Sequence, residues 1–300
     1  MSTVNGIDGL DNLQEVVPTR SRRTVWRRFT RHRLALFGLI ILSIFAFGAV
    51  FGPYIWHHDA YSVDLKLIKS PPTWNHPLGN DAAGRDVLGR LLIAARVSLA
   101  VGIVATLISV IIGTTVGLIS GYMGGWLDNL LMRLVEMVMT FPTFFALLIL
   151  VALIGPSIYN IMIIIGVLGW TGKARLVRGQ TLSLRGADFV MAARAIGAPD
   201  HRIVLRHILP GVVPYIIVSS TLSLAGAILT ESSLSFLGLG VRIPTATWGN
   251  MMSAAQSLFI LQNEPWIWAP PGLAIALTVV GVNFLGDGLR DALDPHSHQV

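Results

Sequence analysis

Residues Ser98–Gly121 read SLAVGIVATLISVIIGTTVGLISG, a run without a single Asp, Glu, Lys or Arg. A helix rises about 1.5 Å per residue, so this stretch is long enough to cross the roughly 30 Å hydrocarbon core of a bilayer. It has no polar stripe, which a helix on a soluble surface would show. It has no strict alternation either, which a barrel strand would show. A membrane-spanning helix is the reading.

Further charge-free runs lie on both sides. Leu34–Trp56 is one. Met137–Gly172 is another, too long for one crossing, and Gly155-Pro156-Ser157 divides it with a tight turn. This gives spans near Leu134–Gly155 and Ser157–Leu176. Gly211–Thr230 and Trp266–Leu285 follow, and the predicted fold is an all-α integral membrane protein with six transmembrane helices. Composition agrees: 53% of residues are hydrophobic and only 13% charged, too few to cover a soluble surface of 300 residues. Mean hydropathy is +0.66. The absence of cysteine excludes disulfides, iron–sulfur clusters, Cys-ligated zinc and thiol nucleophiles.

Lys and Arg fix the expected orientation. With the N-terminus inside, sixteen fall on the inner side and six on the outer. Both termini are then cytoplasmic. The organisation is a basic tail over 1–33, a first span over 34–56 and an outer loop with a pre-helix over 57–97. A core of five spans over 98–290 follows, with a cytoplasmic loop at 177–210, and a tail over 291–300. The pI near 10.2 comes largely from the cluster TRSRRTVWRRFTRHR beside the first span. There it suits anionic headgroups better than nucleic acid. The first apolar run is too long for a cleavable signal, whose apolar region has about 7–15 residues.

Several local features carry mechanical meaning. Gly113, Gly117 and Gly121 recur every fourth residue and form a smooth stripe, an assembly seam that lets another helix approach closely. Pro142, Pro214 and Pro270-Pro271 lie in or beside spans and can kink them, in a moving or in a static bundle. Arg133 and Glu136 are spaced for an interfacial ion pair. Glu231 ends the fifth span, either capping a helix break or facing a pathway. The cytoplasmic loop spells out a short helix between Asp188, a suitable N-cap, and Gly197, a suitable C′ residue. A second helix opens at Pro199-Asp200 and leads through Leu209-Pro210 into the fifth span. The first of these helices is so apolar that it calls for a partner groove or for this chain's own helix ends.

No engine is visible. Gly172-Lys173-Ala174 lacks the preceding glycine and following hydroxyl of a phosphate-binding loop. No hydrolase or protease motif appears, so the chain is not expected to be an enzyme. The eight histidines are scattered, and no metal or cofactor site is expected.

The run Met191-Ala192-Ala193-Arg194-Ala195-Ile196-Gly197, nine residues, then His207-Ile208-Leu209-Pro210 resembles the EAA loop of bacterial ABC importer permeases. Ala192, Ala193, Gly197, Leu209 and Pro210 match that pattern; Met191 replaces its acid and His207 its isoleucine. His76-Pro77-Leu78-Gly79-Asn80-Asp81, Gly84-Arg85-Asp86-Val87-Leu88 and Ala95-Arg96-Val97-Ser98-Leu99 are similar to the C-type permease subunit of dipeptide and oligopeptide (peptide/nickel) importers. So are Leu234–Gly240, Trp248-Gly249 and Gly286–Pro295.

The resemblance implies a type I importer permease in the bacterial inner membrane. It would pair with a homologous B-type permease, two ATPase subunits that hold ATP and Mg, and an extracytoplasmic substrate-binding protein. It gives Asp188, Ala192, Ala193, Gly197, Leu209 and Pro210 a role in coupling to the ATPase. The expected cargo is di- or oligopeptide, with nickel as the alternative within the family. A self-sufficient channel or secondary transporter is the alternative outside it. Val241–Pro265 is nearly uncharged and suits a docking surface for the donor protein. Ser219, Ser220, Thr221, Ser223, Glu231 and Asn283 are pathway candidates, although small hydroxyls often bond only their own helix.

Overall fold

The computed structural model describes residues 29–30 and 32–293. Most of the basic tail and the last residues of the C-terminal tail, with Asp294 and Pro295 of the last motif, lie outside the described residues. Helix α1 is Arg33–Ile55, capped by His32, whose Nδ1 accepts from the Ala35 N–H at 3.1 Å. Helix α2, Val87–Met123, starts well before the expected Ser98. Its cap is Asp86, whose carboxylate accepts from the Gly89 N–H at 2.6 Å. The expected pre-helix is therefore the opening of α2 itself; a single 3-10 turn, Leu65–Leu67, precedes it. Two arginines obscured this in the sequence. Arg96 reaches back to the carbonyls of Ala49 and Val50 at 3.0 and 3.1 Å, so its charge is satisfied where α1 ends.

The third crossing is broken. Helix α3 (Gly125–Thr140) and helix α4 (Thr143–Ile154) meet at an angle of 81°. Pro142 sits at the break, where it lacks an N–H and disfavours a helical Phe141. Helices α5 (Ile158–Leu168) and α6 (Thr171–Arg185) together make one span of 28 residues. After α7 (Asp188–Ala195) comes α8, Asp200–Phe236, continuous from the 177–210 loop through the fifth span. Pro210 cannot donate to the Arg206 carbonyl. The helix answers with a widened turn over Val204–Ile208, in which the Leu209 N–H reaches the Val204 carbonyl. Two short helices, α9 (Trp248–Met252) and α10 (Leu258–Asn263), precede α11 (Pro265–Leu293).

Among the described residues five helices are long and apolar enough to cross a membrane, and six crossings result if the bent α3–α4 pair counts as one. The packing directions support that count. A methyl at Gly113 would come within 2.7 Å of the Lys173 Cβ. At Gly117 it would meet the Ala174 carbonyl and Val177 Cβ at 2.7 Å, and at Gly121 the Thr181 Cβ at 2.7 Å. Helices α2 and α6 therefore run side by side in the same direction. An odd number of crossings must separate them, and the α3–α4 pair supplies one. The stripe is thus an internal seam of this chain rather than a seam between subunits.

Helices α1 and α11 pack antiparallel. A methyl at Gly38 would sit 2.4 Å from the Gly281 carbonyl, and one at Gly288 would sit 2.2 Å from Ala35 Cβ. His32 meets Asp291 at 3.4 Å, so the described N- and C-terminal ends share one side. Phe37, Ile40, Ile44, Phe47 and Phe51 of α1 face outward, a surface suited to lipid.

Candidate functional site

The peg is α7. Its cap position is Ala187, whose methyl accepts no hydrogen bond, and Asp188 is the first helical residue rather than the N-cap. Its carboxylate still lies at the positive end of the helix. At the other end the Ala198 N–H bonds the Ala193 carbonyl at 3.1 Å and the Gly197 N–H the Arg194 carbonyl at 3.0 Å. That is a Schellman motif, with Gly197 at φ +77° as the expected left-handed residue.

Val190 and Ala193 are buried on Leu118, Tyr122, Val177, Ile203 and Ile208. Arg194 lies over the Tyr122 ring, 5.6 Å from its centre, and the Tyr122 hydroxyl donates to Asp200. The peg is thus bolted to α2, α6 and α8. Phe189, Met191 and Ile196 are exposed, Ile196 to 85%. Asp188, Ala192, Gly197 and Pro210 are exposed too, and Leu209 is half-buried.

Behind the peg lies a latch the sequence did not reveal. Arg178 donates to both carboxylate oxygens of Asp128, at 2.6 and 2.7 Å, and Ser120 donates to the same carboxylate. The partners are fifty residues apart, and Asp128 reads as an ordinary loop acid. The expected Arg133–Glu136 pair also forms, at 3.3 Å, and is exposed.

Deeper in the bundle a cavity of about 180 Å³ opens between α2, α4, α6 and α8. Ser223 and Lys173 line it. Of the other pathway candidates, Ser219 and Ser220 donate to the Ile216 carbonyl, and Thr221 to that of Val218. They are occupied within their own helix. Asn283 is half-buried on α11 and does not line this cavity. Glu231 caps no break, because α8 continues to Phe236. It is fully buried and accepts from Ser98 at 3.3 Å and from Ser235 at 2.7 Å, while Ser98 also accepts from the Trp248 N–H. In this conformation it ties α2, α8 and α9 together.

Residues 113–299 match the model of the binding-protein-dependent transport system inner membrane component. Residues 22–72 match the N-terminal transmembrane domain of oligopeptide transport permease C. The chain belongs to this permease family. Its N-terminal match places it in the C type. It is 44% identical over 281 residues to the oligopeptide transport system permease protein OppC of Haemophilus influenzae, covering 91% of this chain and 89% of that one. It is 40% identical over 270 residues to the dipeptide transport system permease protein DppC of Bacillus subtilis, covering 90% and 84%. It is 41% identical over 271 residues to the glutathione transport system permease protein GsiD of Escherichia coli, covering 90% and 89%. The chain is therefore a multi-pass permease of the bacterial inner membrane, the component that spans the bilayer rather than the ATPase.

In this permease the motif at residues 76–90 builds a knot at the end opposite the peg. Asp86 binds Trp56 Nε1 at 2.8 Å and His76 Nδ1 at 2.7 Å. Asp81 accepts from the N–H groups of Ala83 and Arg85 and pairs with the Arg85 and Arg90 side chains. Gly84 is at φ +78°, and a methyl there would lie 2.0 Å from the Asp64 carbonyl. The motif's spacing thus serves loop closure. The expected docking segment after Val241 is half internal: Ala246, Trp248 and Met251 are buried against α2 and α11. Ile243, Leu258 and Phe259 remain exposed as its outer face.

Proposed function

We propose that this permease forms one half of the translocation channel of an ATP-driven importer of di- and oligopeptides. The second half is a homologous B-type permease. Two ATPase subunits bind ATP and Mg on the cytoplasmic side, where both termini lie. A binding protein delivers peptide on the outer side. The observation that carries the coupling role is the peg: a capped helix rooted in the bundle by Val190 and Ala193, presenting Phe189, Met191 and Ile196 outward. Exposed apolar side chains on a rigid base suit a groove on a moving partner. Relatives named for oligopeptides and dipeptides support the cargo class, and glutathione, itself a tripeptide, stays within it.

The test of cargo is uptake into vesicles holding the complete complex. Labelled di- or tripeptide should accumulate only with enclosed ATP and added donor protein. Transport by this chain without ATPases would replace the proposal with a channel.

Orientation and coupling have a separate test. The chain has no cysteine, so single thiols need no background removed. A membrane-impermeant thiol reagent outside intact cells should label Ile243→Cys and leave Ile196→Cys untouched. In inside-out vesicles Ile196→Cys should react, and the ATPase should protect it. Labelling of position 196 from outside reverses the orientation; labelling that ignores the ATPase removes the coupling role.

A further inference from the structure

The mid-depth cavity has a chemistry that neither the peg nor the packing requires. It lies beside Thr106 and Ser109 of α2, about 12–17 Å along the helix from Ser98 and about 18–23 Å from Gly121. Lys173 is only 6% exposed, and its Nζ donates to Ser223 Oγ at 2.7 Å. An ammonium carries three donors, and Ser223 takes one. Among the described residues no carboxylate makes an ion pair with Lys173. Buried ammonium groups at membrane depth are costly and mark functional sites. Gly113 packs against the Lys173 Cβ and the Trp170 carbonyl, so the seam fixes where this lysine stands.

Two further features point the same way. Thr106 lines the cavity and is 8% exposed, and its buried hydroxyl has no hydrogen-bond partner. The break at Pro142 places Thr143, the first residue of α4, on the same cavity, and no side chain caps that helix end. The Phe145 and Ala146 N–H groups bond the Pro142 carbonyl, which leaves those of Thr143 and Phe144 at the positive end of the helix dipole. A buried ammonium, an unpaired hydroxyl and an uncapped helix start converge without a negative charge. The volume holds about six waters at roughly 30 Å³ each, enough for a carboxylate and the atoms next to it.

We propose that this cavity is an anion subsite on the translocation path that receives the C-terminal carboxylate of the peptide. The assignment rests on the peptide reading above. Lys173 supplies the charge, Ser223 orients its ammonium, and Thr106 and the start of α4 donate to the carboxylate oxygens. As the peptide passes, the carboxylate exchanges water for these donors.

The test has two arms on the complete complex. In the first, Thr106→Cys is treated with an anionic and a cationic methanethiosulfonate, and labelling of this chain is read by mass spectrometry. The anionic reagent should react at least tenfold faster, and Lys173→Met should abolish the preference. No labelling, or no charge preference, overturns the subsite.

In the second arm, uptake of a tripeptide is compared with uptake of its C-terminal amide, with the same donor protein throughout. Lys173→Met should lower uptake of the free acid at least tenfold and leave the amide at its wild-type rate. Lys173→Arg should hold the acid within threefold. Unchanged acid uptake, or equal loss of acid and amide, overturns the carboxylate assignment; equal loss would mean that the lysine serves packing or pairs with the second permease. An anionic preference in the first arm, with neither peptide carried by the wild type, keeps the subsite and overturns the peptide reading.

Discussion

Gly117→Leu should abolish recovery of the assembled permease. Even a bare methyl at this position meets the Ala174 carbonyl and the Val177 Cβ at 2.7 Å, and the first of these is backbone that cannot rotate away. Forcing the helices apart also loosens Gly113 and Gly121, which sit at the same close approach. Overpacking costs about 1–3 kcal/mol where side chains can adjust, and a rigid seam lies at or above that range. The measurement is the yield and melting temperature of the purified complex. Gly179→Ala is the control: it lies on α6 with open space around it, and helix propensity favours it. Wild-type yield for Gly117→Leu would mean that α2 and α6 are not in contact.

Gly197→Val should stop import while insertion and assembly stay normal. Nothing lies within 4 Å of a side chain there, so the effect is conformational rather than steric crowding. The residue stands at φ +77°, where an L-residue pays about 1–2 kcal/mol and a β-branched one more. The cheapest relief is to unwind the turn that joins Ala198 to Ala193, which tilts the peg. Uptake should fall at least tenfold at unchanged complex yield. Gly197→Asn should recover much of it, because Asn tolerates this conformation. Full uptake in the valine variant would detach the peg's exit turn from function.

The outline of this permease was readable wherever one physical rule acted alone. Length and absence of charge located Leu34–Trp56, which the structure places at Arg33–Ile55. Asp188 and Gly197 bracketed the peg to within a residue at its start, because caps and left-handed glycines are local. Elsewhere distant partners decided. Arg90 and Arg96 look like loop residues until the fold sets Arg90 against Asp81 and Arg96 against two carbonyls of α1, so charge alone starts α2 too late. The fifty-residue separation hid the Asp128–Arg178 latch. The glycine stripe announced a close contact but not its partner, which proved to be α6 of the same chain. In the sequence Lys173 suggests no more than an incomplete phosphate loop; its burial depends on where α6 meets α2 and α8, which no local pattern states.

Helix α8 runs unbroken from Asp200 to Phe236, 37 residues. At about 1.5 Å per residue it is a rod of roughly 55 Å. Its lower end is bolted to the peg through Ile203 and Ile208, and its upper end carries Glu231 and the Ser98 contact. Such a rod is a lever with gain. A tilt of about 5° at the base displaces the tip by roughly 5 Å, which exceeds the reach of a hydrogen bond. The widened turn at Val204–Ile208 and Pro214, which has no N–H to donate, are the softer points of its shaft, and both sit near the base. Stiffness above these points and give at them concentrate bending near the applied load. The arm then delivers rotation, rather than curvature, to the Glu231–Ser98 contact.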